Sequence, residues 1–200
     1  MENLIKKTVN ELKDTFVGIS SVRWANDRAK LSPSTVWDFE LPTLRDSVDF
    51  NFPEPDVENS KIYGQSTAWA SHAEDGDIAL ALTIPSTHES LCEWGFAKRK
   101  SDEDIEGFAE TAESNPHGGA GTWEFRGYDI KSKVVEGMMM VVSEDGKKAL
   151  VVKNFHGYAT LLMDDLSGAT PVGIRLSGTI TTPVEGDTDG DVLFGTLKQN

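Results

Sequence analysis

The sequence predicts a mainly β protein, a sandwich or barrel built around one central helix, and three observations carry that prediction. Two segments alternate polar and apolar residues strictly: Ser47-Val48-Asp49-Phe50-Asn51-Phe52 and Asp77-Ile78-Ala79-Leu80-Ala81-Leu82-Thr83-Ile84. Successive strand side chains point to opposite faces, so each segment has one apolar and one polar face. Past residue 121, strand-like runs follow at short spacing over 122–130, 134–143, 148–154, 157–163, 172–181 and 192–197. Many short strands joined by turns are the mark of a sandwich or barrel. Ser86 followed by Glu89 is a capping-box pattern, which predicts a helix over 87–96 with Leu91, Trp94 and Cys92 toward the core.

The remaining elements follow in chain order. Over 3–16, Ile5, Val9, Leu12 and Phe16 share a helical stripe, with Lys6, Lys7, Glu11 and Lys13 off it, so a short N-terminal helix is expected. Gly18-Ile19-Ser20-Ser21 ends it, 21–31 reads ambiguously, and Ser32-Pro33-Ser34 is a turn. Two prolines exclude Pro53-Glu54-Pro55-Asp56 from a central strand, and with Val57-Glu58-Asn59-Ser60 it reads as a loop. Glu144-Asp145-Gly146-Lys147 reads as a hairpin turn, with Gly146 supplying the positive φ.

Residues 98–121 are the least core-like stretch. Asp102, Glu103, Asp104, Glu106, Glu110 and Glu113 crowd it, Ile105 and Phe108 are its apolar anchors, and it runs through Pro116 into Gly118-Gly119-Ala120-Gly121. Long inserts of this kind are usually functional, and this one reads as an excursion that orders against a neighbouring subunit. No fixed-period repeat is visible, and 1–200 reads as a single domain with this insert.

Two hundred residues with 38% hydrophobic content can build a real core rather than a disordered acidic tail. The formal net charge of −14 argues against a sequence-independent grip on nucleic acid, which needs Lys and Arg to neutralise phosphates. Nucleic acid that passes without binding is compatible with it. The lone Cys92 permits no intrachain disulfide. The first residues show no signal-peptide pattern, and no apolar run is long enough to span a bilayer, so no membrane partner is expected.

Signals for chemistry are weak. His72, His88, His117 and His156 show no metal-ligand spacing. Asp187-Thr188-Asp189-Gly190-Asp191 opens like a calcium loop but has Val192 and Lys198 where Gly and Glu are needed, so it reads as a turn. There is no Gly-x-Ser-x-Gly elbow, Gly118–Gly121 lacks the Lys-Ser/Thr of a phosphate cradle, and Asp164-Asp165 reads as a turn. Cys92 sits beside Glu93, not beside a base that would activate it. The expectation is no enzyme and no cofactor. Met138-Met139-Met140 leaves two readings open: a strand buried on both faces, or one with a subunit contact on its second face.

The polar faces of the two alternating segments are small and partly acidic. Ser47, Asp49 and Asn51, then Asp77, Ala79, Ala81 and Thr83, include no Lys, Arg or other long side chain. The segment from Ile78 through Thr83-Ile84-Pro85 into the helix, and the closing Pro171-Val172-Gly173-Ile174-Arg175-Leu176-Ser177-Gly178-Thr179-Ile180, resemble the major tail tube proteins of tailed bacteriophages, whose barrel is shared with type VI secretion tubes. The resemblance covers about two-thirds of the chain. It implies a virion protein, assembled in the bacterial host cytoplasm, that forms stacked hexameric rings around a negative lumen through which DNA passes. Ser47, Asp49, Asn51, Asp77, Ala79, Ala81 and Thr83 would line that lumen. Asp102, Glu103, Asp104, Ile105, Phe108 and Pro116 would reach a neighbouring subunit. Further partners would be sheath, tape-measure or terminator proteins. The alternative is a decoration or receptor-binding β-domain, with Trp69, Trp123 or Trp24 as its aromatic site; a glycan hydrolase ranks third.

Overall fold

The computed structural model describes residues 15–27, 31–44, 47–52, 56–60, 63, 70–74, 76–95, 105–128, 133–163, 172–181 and 188–198. In chain order these form β1 (Ser21–Ala25), β2 (Phe39–Leu41), β3 (Asp49–Asn51), β4 (Asp56–Ser60), β5 (Ala70–Glu74), β6 (Ala79–Ile84), α1 (Glu89–Gly95), β7 (Ile105–Glu110), β8 (Gly121–Phe125), β9 (Val134–Val142), β10 (Lys148–Leu162), β11 (Gly173–Ile180) and β12 (Val192–Thr196). The expected N-terminal helix lies outside the described residues except for its end, where Phe16 is exposed in irregular backbone.

The mainly β expectation holds, with antiparallel pairing throughout. One sheet runs β2-β1-β9-β10-β11-β6-β3, with β12 attached to β10. Among the described residues it is an open sheet, not closed into a barrel. β2 and β3 are three-residue strands at opposite ends, and Pro42, directly after β2, removes the donor that would extend it. Two separate hairpins, β4-β5 and β7-β8, stand off the main sheet. The sequence read 57–60 as a loop; its backbone instead pairs with β5, Asp56 opposite Glu74 and Ser60 opposite Ala70.

One face of the sheet and α1 enclose the main core. Trp24, Phe155, Met139, Val152, Leu176 and Leu82 are buried there beside Leu91 and Trp94 of the helix. Trp24 sits edge-on to Trp94 at 5.1 Å and to Phe155 at 5.7 Å, geometries that the ring quadrupoles favour. Both indole N–H groups donate to Asn26 Oδ1, at 2.9 Å from Trp24 and 3.1 Å from Trp94, so neither buried donor is orphaned. Phe155 also lies against the directly paired Gly157 and Gly178; a Cβ on Gly157 would sit 2.6 Å from its ring.

The helix starts two residues later than the capping box implies. Ser86 Oγ accepts from the His88 N–H, and His88 Nδ1 accepts from the Ser90 N–H, so His88 rather than Ser86 caps α1. The runs 148–154 and 157–163 form one strand, not two. Its register against β9 slips between Val152 and Phe155, a bulge that lets β10 pair with β12 before it and with β11 after it. Met139 faces the main core. Met138 and Met140 face a second cluster with Ala25 and Val151, packed by Leu31, Trp37 and Leu193, so this part of β9 is covered by the chain itself on both faces.

The 144–147 turn forms as read, with Gly146 at φ 68°. Asp145 Oδ1 accepts from Ser143 Oγ at 2.6 Å and from the Lys147 N–H at 2.9 Å, and these bonds, the Ser143 one first, lower the carboxyl pKa below its ordinary value. A lowered folded-state pKa contributes stability above the ordinary carboxylate pKa that is lost as pH falls through the lowered value. The Asp145→Ala variant is therefore expected to be less stable than the parent at pH 7, with the gap shrinking below about pH 4; urea titrations at both pH values check it.

Candidate functional site

The two alternating segments meet in space. β3 pairs with β6 so that Asp49 lies opposite Ala81 and Asn51 opposite Ala79, while Phe50 opposite Leu80 turns to the core. Period-two alternation therefore places Asp49, Asn51, Ala79, Ala81 and Thr83 on one face, away from α1. β11 continues it, because Thr179 pairs with Ala79, Ser177 with Ala81 and Arg175 with Thr83. The resulting three-strand surface carries short neutral side chains and an exposed carboxylate, with Arg175 at one end. Ser177 and Thr179 were not singled out from sequence as face residues, although Ile174 and Leu176 alternate with Arg175 and Ser177 there.

One of the expected face residues has another role, and a second sits at the margin of the face. Ser47 is part-buried, its Oγ donates to the Leu44 carbonyl at 2.8 Å, and it accepts the Thr83 N–H at 3.2 Å. It ties the entry of β3 to β6 rather than presenting a free hydroxyl. Asp77 is exposed two residues before β6, at the margin of the face.

The insert is not a bare loop. Asp102, Glu103 and Asp104 lie outside the described residues, Pro116 is exposed in the turn region, and Ile105 and Phe108 belong to β7, which pairs with β8. The register slips between Glu106 and Ala109, so Gly107 and Phe108 together oppose Trp123. That bulge changes the phase of β7. Without it Ile105 and Phe108 would point to opposite sides; with it both join Trp123 and Phe125 on one face. Phe108 lies 6.5 Å from Trp123 and 6.3 Å from Phe125, and Trp123 stacks on Phe125 at 19°. All four residues are exposed, by 44–60%. On the reverse face Glu106 lies opposite Glu124, a like-charge pair that weakens the hairpin.

A Cβ on Gly107 would overlap the Phe125 ring and lie 2.7 Å from the Trp123 carbonyl oxygen. Gly107→Val is accordingly expected to destabilise the hairpin by about 1–3 kcal/mol. The readout is faster amide exchange over 105–125, with β9 and β10 unchanged.

Of the candidate aromatic sites, Trp24 is fully buried and cannot contact a receptor, Trp69 lies outside the described residues, and Trp123 is on the hairpin face. Cys92 is buried, and burial, followed by the neighbouring Glu93, pushes its thiol pKa up, the opposite of an activated nucleophile. His156 Nδ1 and Glu136 Oε1 are 2.7 Å apart across β9 and β10. Among the described residues, no three His, Cys, Asp or Glu side chains gather as a metal site, and no helix is long and apolar enough to cross a membrane. Compared with protein-family models and with curated proteins, the chain finds no match.

Proposed function

We propose that this chain is a structural subunit of a phage tail tube, assembled into hexameric stacked rings whose lumen passes DNA. The observation that carries the reading is the joined β3-β6-β11 face. Asp49, Asn51, Ala79, Ala81, Ser177 and Thr179 form a surface with a carboxylate and no long side chain on β3 or β6. Apart from Arg175 at its end, such a wall offers phosphates little to hold, and its carboxylate repels them, as a DNA conduit requires. The open sheet suits the reading too, since a tube's inner barrel is closed by strands from successive subunits. The exposed β7-β8 hairpin is the element that would reach a neighbour, and sheath, tape-measure or terminator proteins would be the further partners.

A second reading rests on the same hairpin. Phe108, Trp123 and Phe125 could form the aromatic site of a decoration or receptor-binding β-domain. Negative-stain electron microscopy at rising concentration, with light scattering for mass, separates the two. Hollow rings or tubes are expected; a persistent monomer or compact trimer favours the second reading.

A further inference from the structure

A groove of about 970 Å³ lies between the sheet's two ends, β2 and β3. Phe16, Ile19, Leu41, Leu44, Val48 and Phe50 line it, and its charged lining residues, among those described, are Glu40 and Glu144. It is thus an apolar surface with a negative margin, the kind that marks a contact site. Three observations name what fills it. The chain enters through its wall: the Ser20 N–H donates to the Val142 carbonyl at 2.9 Å and the Glu144 N–H to the Val17 carbonyl at 3.2 Å, so residues 1–14 join the described chain at the groove itself. That segment has a matching apolar stripe. At about 100° per residue, Ile5, Val9 and Leu12 share one side of a helix, in line with Phe16. The charges match as well. Lys6 and Lys13 border the stripe, while Lys7, Glu11 and Asp14 lie on the far side.

We infer that residues 3–14 dock as an amphipathic helix in the groove of their own chain, with Ile5, Val9 and Leu12 inward and Lys6 and Lys13 toward Glu40 and Glu144. A helix of about three turns is marginal alone in water, so its stability has to come from packing the apolar stripe on such a surface. Segment and groove belong to one chain. The contact therefore forms at an effective concentration on the order of millimolar, and needs less area than an interface between free partners. The lysines add a weaker, salt-sensitive attraction to the carboxylates at the margin. Docked there, the segment covers Val48 and Phe50 between the two short end strands, and completes the core where the sheet itself does not. This contact needs no second copy and holds whether or not the chain builds a tube.

The test measures how fast a maleimide labels Val48→Cys in the full chain with Cys92→Ala, at concentrations where light scattering shows a monomer. Val48 is half-buried in the groove wall and far in sequence from the segment, and cysteine replaces it as a small hydrophobe. Adding Val9→Asp and Leu12→Asp together is expected to speed labelling about tenfold or more, because a carboxylate does not enter an apolar site. Deleting residues 2–14 is expected to do the same, with tryptophan fluorescence unchanged. Lys6→Glu with Lys13→Glu is expected to speed it by a smaller factor, and Lys7→Glu to leave it as it was. Should the deletion unfold the chain, the aspartate and glutamate variants, which keep its length, decide. Equal labelling in the parent and the aspartate variant overturns the docking. A Lys7→Glu effect as large as that of the Lys6 and Lys13 pair overturns the orientation on which it rests. Protection of Val48→Cys that fades on dilution means that a neighbouring copy supplies the segment, and overturns docking within one chain.

Discussion

Replacing Trp24 with alanine is expected to cost about 3–5 kcal/mol, the range for removing a buried large aromatic side chain. Trp24 has no exposed surface, touches Trp94 and Phe155 edge-on, and shares Asn26 Oδ1 with Trp94. Its removal opens a cavity at the junction of β1, β9, β10 and α1, the place where helix and sheet are joined. Against a domain stability of about 5–15 kcal/mol, that loss takes a large share of the total. Urea denaturation measures it. Trp24→Phe keeps most of the ring packing and loses one hydrogen bond, so it is expected to cost less than the alanine variant. A Trp24→Ala loss under about 1 kcal/mol would contradict the central place given to this side chain.

The second large effect is functional. Changing Asp49 and Asp77 together to lysine is expected to leave folding intact, because both side chains are exposed. It adds two cations per subunit where the proposed lumen has carboxylates, multiplied around every ring. The parent should show no duplex-DNA binding at low salt. The variant assemblies should bind DNA, with affinity falling steeply as salt is raised, because phosphate contacts release counterions. In assembled particles, DNA ejection should be impaired. Normal ejection and no gained binding would remove these residues from the lumen.

Part of this molecule was readable residue by residue. Leu80, Leu82 and Ile84 are buried, and Leu91, Cys92 and Trp94 are the buried side of the helix, as the alternation and the helical spacing predicted. The 144–147 turn formed because Asp145 and Gly146 supply local hydrogen bonds and a positive φ. The failures share another cause. A sandwich or barrel was expected, and the described strands form an open antiparallel sheet that ends in two three-residue edge strands. The run at 57–60 looked like a loop because its polar composition hides a backbone that finds its ladder in 70–74. The cap fell on His88 rather than Ser86.

The hairpin shows the division most clearly. Residues 105–110 carry Ile105 and Phe108 at an odd spacing that no period-two reading puts on one face, and only the bulge opposite Trp123 does so. By itself, the sequence determined what depends on neighbours along the chain: which side chains alternate, where a turn can form, and that the polar faces of β3 and β6 are short and partly acidic. The tertiary structure alone decided what depends on partners far away: that those two faces are joined and extended by Ser177 and Thr179, that the sheet has a gap, and that an aromatic face lies exposed. Side-chain alternation is set by local backbone geometry. Strand order, register and bulges are set by pairing between residues distant in sequence, where many arrangements satisfy the same local pattern and only the packed whole selects among them.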